Sequence, residues 1–482
     1  MENKQVYNRA KTWELAFFAM NNSATNAYMF LMMYISYYAT GIAGLGVAAI
    51  GFISTASRLW DGITDPLVGM FIDRTNGKFG KFRPFMILGN IILAVMVLVI
   101  YGTTHLMPEG FRLIYYILCY MVYIIGYTFQ TACTKAGQSC LTNDPAQRPQ
   151  FALYNTIYSA IVWAGLPIIA SGPLYTWAGG FTEQYFLGFC AITIVLSGIM
   201  TIFSVIGIWS HDNEKYFGGQ EDAPKYAMSD YLDVIKHNRA IQMLIFSAAS
   251  DSLAGMVKTN AVLMVVLFGI FMGNYSLYGT ASGIVTIPSC IIALVGVAYA
   301  AKQGMRKILI GFSWLNLSLA GIMMAICVYS FSIGKIGSAM NPVLSMVLVG
   351  IYCLLYCSEA LSGGIVIPMI ADCADYEVVR SGRYVPGMMG TLFSFVDKFI
   401  SSLGTSIVAL GLVVIGYSEV QPVAEDPMTT PLFIFLLVMY FAAPMIGWII
   451  NLISMKYYPL TKEKMAEIQE QIAEAKAKNS AS

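Results

Sequence analysis

The chain has 482 residues, 57% of them hydrophobic and only 11% charged, against about 25% charged in ordinary soluble domains. A water-soluble protein built this way would expose large apolar patches, so a soluble globular fold is excluded. The formal net charge of +1 offers no electrostatic footprint for a nucleic-acid partner.

The N-terminal stretch MENKQVYNRAKTWE carries Lys4, Arg9 and Lys11. The apolar run behind it, 13–38, is longer than a signal-peptide core and has no A-x-A-like cleavage site, so it reads as a retained first span. Apolar runs of about 20 residues or more match a hydrocarbon core of ~30 Å. Twelve occur, at 13–39, 45–72, 85–105, 112–141, 151–177, 184–210, 240–270, 275–300, 308–331, 343–371, 389–416 and 430–454. They predict an all-α membrane protein with twelve transmembrane helices. The Gly and Pro residues in GLP (165–167) and SGP (171–173) are expected to be tolerated inside the fifth span.

Most Lys and Arg residues fall in segments that are cytoplasmic if the N-terminus is inside, which predicts a multi-pass plasma-membrane protein with both termini cytoplasmic. The longest polar stretch, 211–239, follows span six. The expected organisation is an N-terminal six-helix bundle over 1–210, a cytoplasmic linker over 211–239, a C-terminal six-helix bundle over 240–455 and a cytoplasmic tail over 456–482. Met465, Ile468 and Ile472 share one stripe of that tail, which would suit a membrane-surface helix, although a solvated charged tail is the preferred reading. The nine cysteines lie mostly in apolar runs and read as small apolar residues. Cys353 and Cys357 are one turn apart, but no His or second Cys pair completes a metal site.

A charge near the bilayer centre costs roughly 2.5–3.5 kcal/mol on insertion scales, so such residues are functional suspects. Span two reads SRLWDGITDPLVG and puts Arg58, Asp61 and Asp65 on one face, flanked by Thr64. Two carboxylates and a hydroxyl are hard oxygen donors suited to a small hard cation. The bland alternative is that Arg58 alone neutralises the pair. Span four carries Thr128, Thr131, Lys135 and Gln138 as a polar stripe, read as a pathway wall because Lys135 lies too deep to snorkel; interhelical hydrogen bonding is the alternative. Asp251 and Lys258 in span seven are two turns apart, ~10 Å along the axis, and cannot pair directly. Glu359 lies in span ten, and Asp397 and Lys398 in span eleven. So many buried charges suggest a water-filled cavity.

The loop GMFIDRTNGKFGKFRP (69–84) resembles the G-x3-D-R-x-G-R/K loop of the major facilitator superfamily, in which Asp73 can cap or pair at helix ends. RLWDGITDP with its following GKFRP, and IADCADYE (370–377) in the loop expected after span ten, resemble signatures of one branch, the glycoside–pentoside–hexuronide:cation symporters. The resemblance implies the major facilitator fold of two six-helix bundles working by alternating access. It implies that Asp61, Thr64, Asp65 and Thr128 bind the cation, Na⁺ or H⁺, and that Lys398 and Arg58 couple it to substrate. By the same resemblance the substrate residues fall on Asn21 or Asn22, of which Asn22 is preferred, Thr131, Lys135 and Thr156. The acids and the aromatic residue of a galactoside site are replaced at these positions.

The expected function is cation-coupled import of a sugar, a glycoside or uronide, with an anionic one suggested by Lys135. The alternative for Lys135 is an ion pair with an acid such as Glu359 or Asp251. No cofactor is expected beyond the coupling ion; the partners are the sugar, the cation and the bilayer. A lysophospholipid cargo on the same fold is the alternative substrate. A membrane-embedded enzyme or sensor is the alternative of another class, disfavoured because no GxSxG, HExxH, P-loop or Cys/His pair occurs and the three histidines, His105, His211 and His237, lie at or near loops.

Overall fold

A computed structural model of the chain describes residues 9–75, 77–142, 147–213, 233, 236–381 and 386–481. Among them every regular element is helical, and the one β-bridge, Gly77 to Gly80, is isolated. That is what lipid dictates, because a helix satisfies its backbone polar groups within one segment. Among the described residues ten helices are long and apolar enough to cross a membrane. The first two predicted spans fall on the helices that begin at Thr12 and Val47.

Packing divides the chain into two units. The first gathers the described residues of Met1–Asp222, Tyr275–Gly283 and Leu412–Val423; the second gathers those of Ala223–Asn274, Ile284–Gly411 and Ala424–Ser482.

The first unit holds α1 (Thr12–Met32), α2 (Ile35–Gly41), α3 (Val47–Arg74), α4 (Arg83–Thr103), α5 (Glu109–Leu141), α6 (Arg148–Ser171), α7 (Pro173–Ala178) and α8 (Glu183–Ile208). α1 packs against α8, α6 and α5, which makes it the buried axis of the unit. Leu15, Phe18 and Ala19 of α1 enter one core with Met86, Cys133 and Ile208. α4 and α5 approach closely because Gly89 and Gly126 face each other. A Cβ on either would lie 2.9–3.1 Å from the other's carbonyl oxygen, and small residues of this kind let membrane helices touch backbone to backbone. Predicted span five is not continuous. Pro167 is accommodated inside α6, but Gly172 leaves the helical region (φ −110°, ψ −101°) and Pro173 opens the separate α7.

The loop entering α4 is closed by Asp212. Its buried carboxylate accepts from the backbone N–H groups of Lys81 (2.8 Å), Phe82 (3.1 Å) and Arg83 (2.9 Å), and from Arg83 Nε at 3.3 Å. A helix N-terminus exposes donors that need such an acceptor. The capping acid here is therefore Asp212; the Asp73 side chain lies outside the described residues.

The second unit holds α9 (Arg239–Lys258), α10 (Ala261–Met264), α11 (Ser276–Gln303, from residue 284), α12 (Met305–Ser332), α13 (Pro342–Ser381), α14 (Pro386–Val414, to residue 411), α15 (Thr430–Leu436), α16 (Ala443–Tyr457) and α17 (Lys462–Ala481). Predicted span seven breaks at Thr259, where the Asn260 side chain accepts from Val262 N (3.1 Å) and starts α10, which runs into a π-helical segment Val265–Phe271. A second π-helical segment, Leu437–Ala442, joins α15 to α16.

α13 is 40 residues long and carries IADCADYE inside the helix, where a loop was expected. Ile365, Met369 and Cys373 continue its core stripe past the predicted end. Glu377, buried, then accepts from Arg380 Nε (2.9 Å), Ser381 Oγ (2.8 Å) and Asn238 Nδ2 (2.9 Å). Asn238 in turn caps α9 by accepting from Ile241 N at 3.0 Å. Burial acts to raise the Glu377 carboxyl, but these bonds outweigh it and hold it below its ordinary range. The tail is not a solvated charged segment up to Ile472. α17 packs on α13, Ile468 is buried, and Met465 and Ile472 join the same core cluster.

Candidate cation and substrate site

α3 and α5 lie side by side in the first unit, and three of the predicted cation residues meet there. Asp61 is 6% exposed, Thr64 4% and Thr128 1%. Thr128 Oγ1 donates towards Asp61 Oδ1 at 3.3 Å and lies 3.4 Å from Thr64 Oγ1. Each hydroxyl is also anchored to its own helix, Thr64 Oγ1 to Asp61 O (3.1 Å) and Thr128 Oγ1 to Ile124 O (3.0 Å). Asp65 and Arg58 are half-buried on the same helix as Asp61. The arrangement gathers one carboxylate and two hydroxyls in a nearly dry place, with a second carboxylate one turn along. Oxygen donors so placed suit a small cation or a proton.

The phenols of α5 were not anticipated. Tyr116, Tyr120, Tyr123 and Tyr127 recur at intervals of three and four residues on one face. Tyr120 and Tyr127 feel the charges of Arg58 and Asp61, and Tyr127 that of Asp65 as well. Tyr120 also bonds to Ser57. Trp60, next to Asp61, donates through Nε1 to Met121 O at 3.3 Å. The periodicity of the four tyrosines was a readable signal for this face.

The predicted substrate residues are less gathered. Asn21 is fully buried and serves structure, since its Nδ2 donates to Gln130 O (3.0 Å) and Thr134 Oγ1 (2.6 Å). Asn22 Nδ2 faces α6 and donates to Ser159 Oγ at 3.4 Å; Asn26 Nδ2 donates to the same oxygen at 3.2 Å. Asn26 and Ser159 thus join Asn22 in a half-buried polar group that sequence reasoning missed. The hydroxyls of Thr131 and Thr156 bond to helix carbonyls, Tyr127 O (3.1 Å) and Ala152 O (2.9 Å). Lys135 is exposed on α5, six residues before the helix ends at Leu141. It makes no ion pair among the described residues.

In the second unit Lys258 Nζ bonds Glu359 Oε1 at 2.6 Å and lies 5.7 Å from the Tyr440 ring centre. Asp251 accepts from Ser362 Oγ at 3.0 Å. Asp397 is bonded by Ser252, and its Oδ1 is buried with no hydrogen-bond partner among the described residues. Lys398 follows it on α14 and is half-buried.

Residues 17–462 match the family model described as MFS/sugar transport protein. The chain is 24% identical to the putative glycoside/cation symporter YagG of Escherichia coli over 92% of its own length and 91% of the relative's. It is 23% identical to the glucuronide carrier protein homolog of the same organism, covering 90% and 89%. It is 21% identical to the isoprimeverose transporter of Lactiplantibacillus pentosus, covering 97% and 92%. Among solved structures it resembles the nucleoside transporter NupG, with a TM-score of 0.63 at 12% identity over 93% of this chain and 99% of that one. A bacterial homolog of the lysosomal transporter Spinster follows with a TM-score of 0.59 at 12% identity, over 95% and 97%. At such identities these two likenesses speak for the fold alone.

Proposed function

The chain belongs to the MFS/sugar transport protein family, and on that premise we propose that it is a cation-coupled symporter that imports a sugar, a glycoside or uronide. It is a membrane transporter, not an enzyme. The observation that carries the coupling is the buried Asp61–Thr64–Thr128 cluster, a costly placement for a carboxylate unless it binds something positive. The names of its relatives, a glycoside/cation symporter, a glucuronide carrier homolog and an isoprimeverose transporter, favour a sugar over a lysophospholipid.

In this reading Na⁺ or H⁺ enters at Asp61 and Asp65, with Thr64 and Thr128 completing the oxygen shell. If all four groups are ionised, Asp61, Asp65, Arg58 and the proposed coupling residue Lys398 sum to zero, and a bound cation makes the total one charge positive. An anionic sugar nearby is then favoured, and Asn22, Thr131, Lys135 and Thr156 are the proposed contacts. Two six-helix halves, the first ending near residue 210, rock about the site to expose it alternately to either side of the plasma membrane, with both termini in the cytoplasm.

The test is uptake into sealed vesicles of neutral and acidic glycosides, with and without an inward Na⁺ or H⁺ gradient. Wild type accumulates sugar with a gradient, and Asp61→Ala and Asp65→Ala lose that accumulation. Undiminished cation-driven uptake in both variants overturns the mechanism.

A further inference from the structure

The second unit contains an ionisable group that the symport reading does not use. Asp251 lies within α9, an apolar helix long enough to cross the membrane. Every element packed against α9 contributes to its surroundings. α13 brings Glu359 and Ser362, α16 brings Trp448, the Leu437–Ala442 segment brings Tyr440, and α14 brings Asp397 with Lys398 behind it. On α9 itself the base is Lys258, and its ammonium is engaged by Glu359 at 2.6 Å.

Asp251 makes no ion pair among the described residues. Its partners are neutral: Ser362 Oγ donates to Oδ2 at 3.0 Å, and the Trp448 indole adds a further polar contact. With all three groups ionised, Asp251, Glu359 and Lys258 sum to one negative charge on membrane-spanning helices. A carboxylate left without a counter-charge there is disfavoured, while protonation removes the charge and keeps the hydrogen bonds available. A metal cation fits poorly in the same place. An indole offers an N–H and no lone pair, so these partners leave a metal cation only the carboxylate and one hydroxyl oxygen, fewer donors than its shell needs. The donor set therefore selects H⁺ over Na⁺.

We propose that Asp251 is a proton-binding site, separate from the α3 carboxylates, that takes up a proton in one state of the transport cycle and releases it in another. The step is simple acid–base chemistry: a proton from water forms an O–H bond on the carboxylate and later returns to water. Lys258 and Glu359 are already paired with each other, two turns along α9 from Asp251. The proposal stands whether or not the α3 pair is the cation site, because it rests on different residues.

The experiment is infrared titration of the full-length protein in lipid nanodiscs, without substrate, from acid to alkali. Wild type shows a carboxylic acid C=O band that disappears as pH rises. Asp251→Asn lacks that band, Asp397→Asn keeps it, and Ser362→Ala moves its titration midpoint. An unchanged band in Asp251→Asn overturns the proposal, as does a band lost with Asp397→Asn instead. Should Asp251→Asn fail to fold, an unmoved midpoint in Ser362→Ala overturns it equally. A second readout is luminal pH in proteoliposomes during sugar uptake. Wild type gives a sugar-dependent pH change and Asp251→Asn loses it; a change of equal size in the variant refutes cycle-linked release. Failure of Asp61→Ala to abolish Na⁺ dependence would count against the symport site without touching these outcomes.

Discussion

A threonine hydroxyl has one proton and two lone pairs. At Thr128 that proton has two acceptors within reach, Ile124 O at 3.0 Å and Asp61 Oδ1 at 3.3 Å. When it goes to Ile124 O, a lone pair is left facing the carboxylate, which is the geometry a cation needs. Thr64, anchored on Asp61 O, can do the same. Thr128→Val keeps the shape and removes the oxygen. It is expected to weaken cation activation of uptake by about tenfold, roughly 1.4 kcal/mol, while uptake at saturating cation survives; an unchanged cation dependence removes Thr128 from the site. Lys135→Ala separates the two uses of an exposed lysine. If it meets substrate, uptake of acidic glycosides falls by tenfold or more (about 1.5–3 kcal/mol for a charge-assisted bond) and neutral ones are spared. If it only snorkels, competition assays with both classes match wild type. Charged residues in apolar helices announce themselves, which is why Asp61 was readable in the sequence, whereas Thr128 was joined to it only by the family resemblance. Ser159 and Asn26 were not, because a lone serine or asparagine in a membrane helix carries no periodic signal. Asp212 was hidden for another reason: its partners are backbone N–H groups, which no side-chain pattern records.

Two helix starts depend on acids distant in the chain. α4 begins on Asp212, and α9 begins on Asn238, itself held by Glu377 from α13. Thus the glutamate of the IADCADYE motif positions the helix that carries Asp251 and Lys258. Glu377→Gln is expected to lower stability at neutral pH by about 2–3 kcal/mol through loss of charge-assisted bonds. The pH dependence follows from the sign of the shift. The folded-state carboxyl is lowered, so its stabilising contribution is complete above the ordinary carboxyl range and fades as pH falls through the lowered value. Thermal unfolding in detergent should therefore show a gap between wild type and variant at neutral pH that narrows in acid. A constant gap means the bonds, not the charge, carry the effect. The element boundaries that sequence missed share one cause. Thr259, Gly172 and the end of α13 are decided by caps and by packing on neighbouring helices, whereas hydropathy registers only that a segment is apolar.

At the scale of the whole molecule, the all-helical build was legible because a bilayer leaves few alternatives to the helix. Linkage adds a constraint on the proposed symport cycle. If cation binding raises sugar affinity by some factor, sugar binding must raise cation affinity by the same factor. For a coupling of 1–3 kcal/mol this is about 5–150-fold. Calorimetric titration of purified protein, sugar with and without Na⁺ and then Na⁺ with and without sugar, should return equal factors. Unequal factors at equilibrium would mean that a third species, such as a proton, binds along with one of them.

The indole of Trp60 is fixed to Met121 O beside Asp61, and that of Trp448 contacts Asp251. Each proposed ion site thus has its own chromophore, out of seven tryptophans in the chain. Charging or discharging a carboxylate at such range shifts an indole's emission through the local field. Ultraviolet fluorescence of the native protein, with Phe substituted at one position or the other, would then report sodium arrival at α3 and proton exchange at α9 as two separable colours, with no label attached.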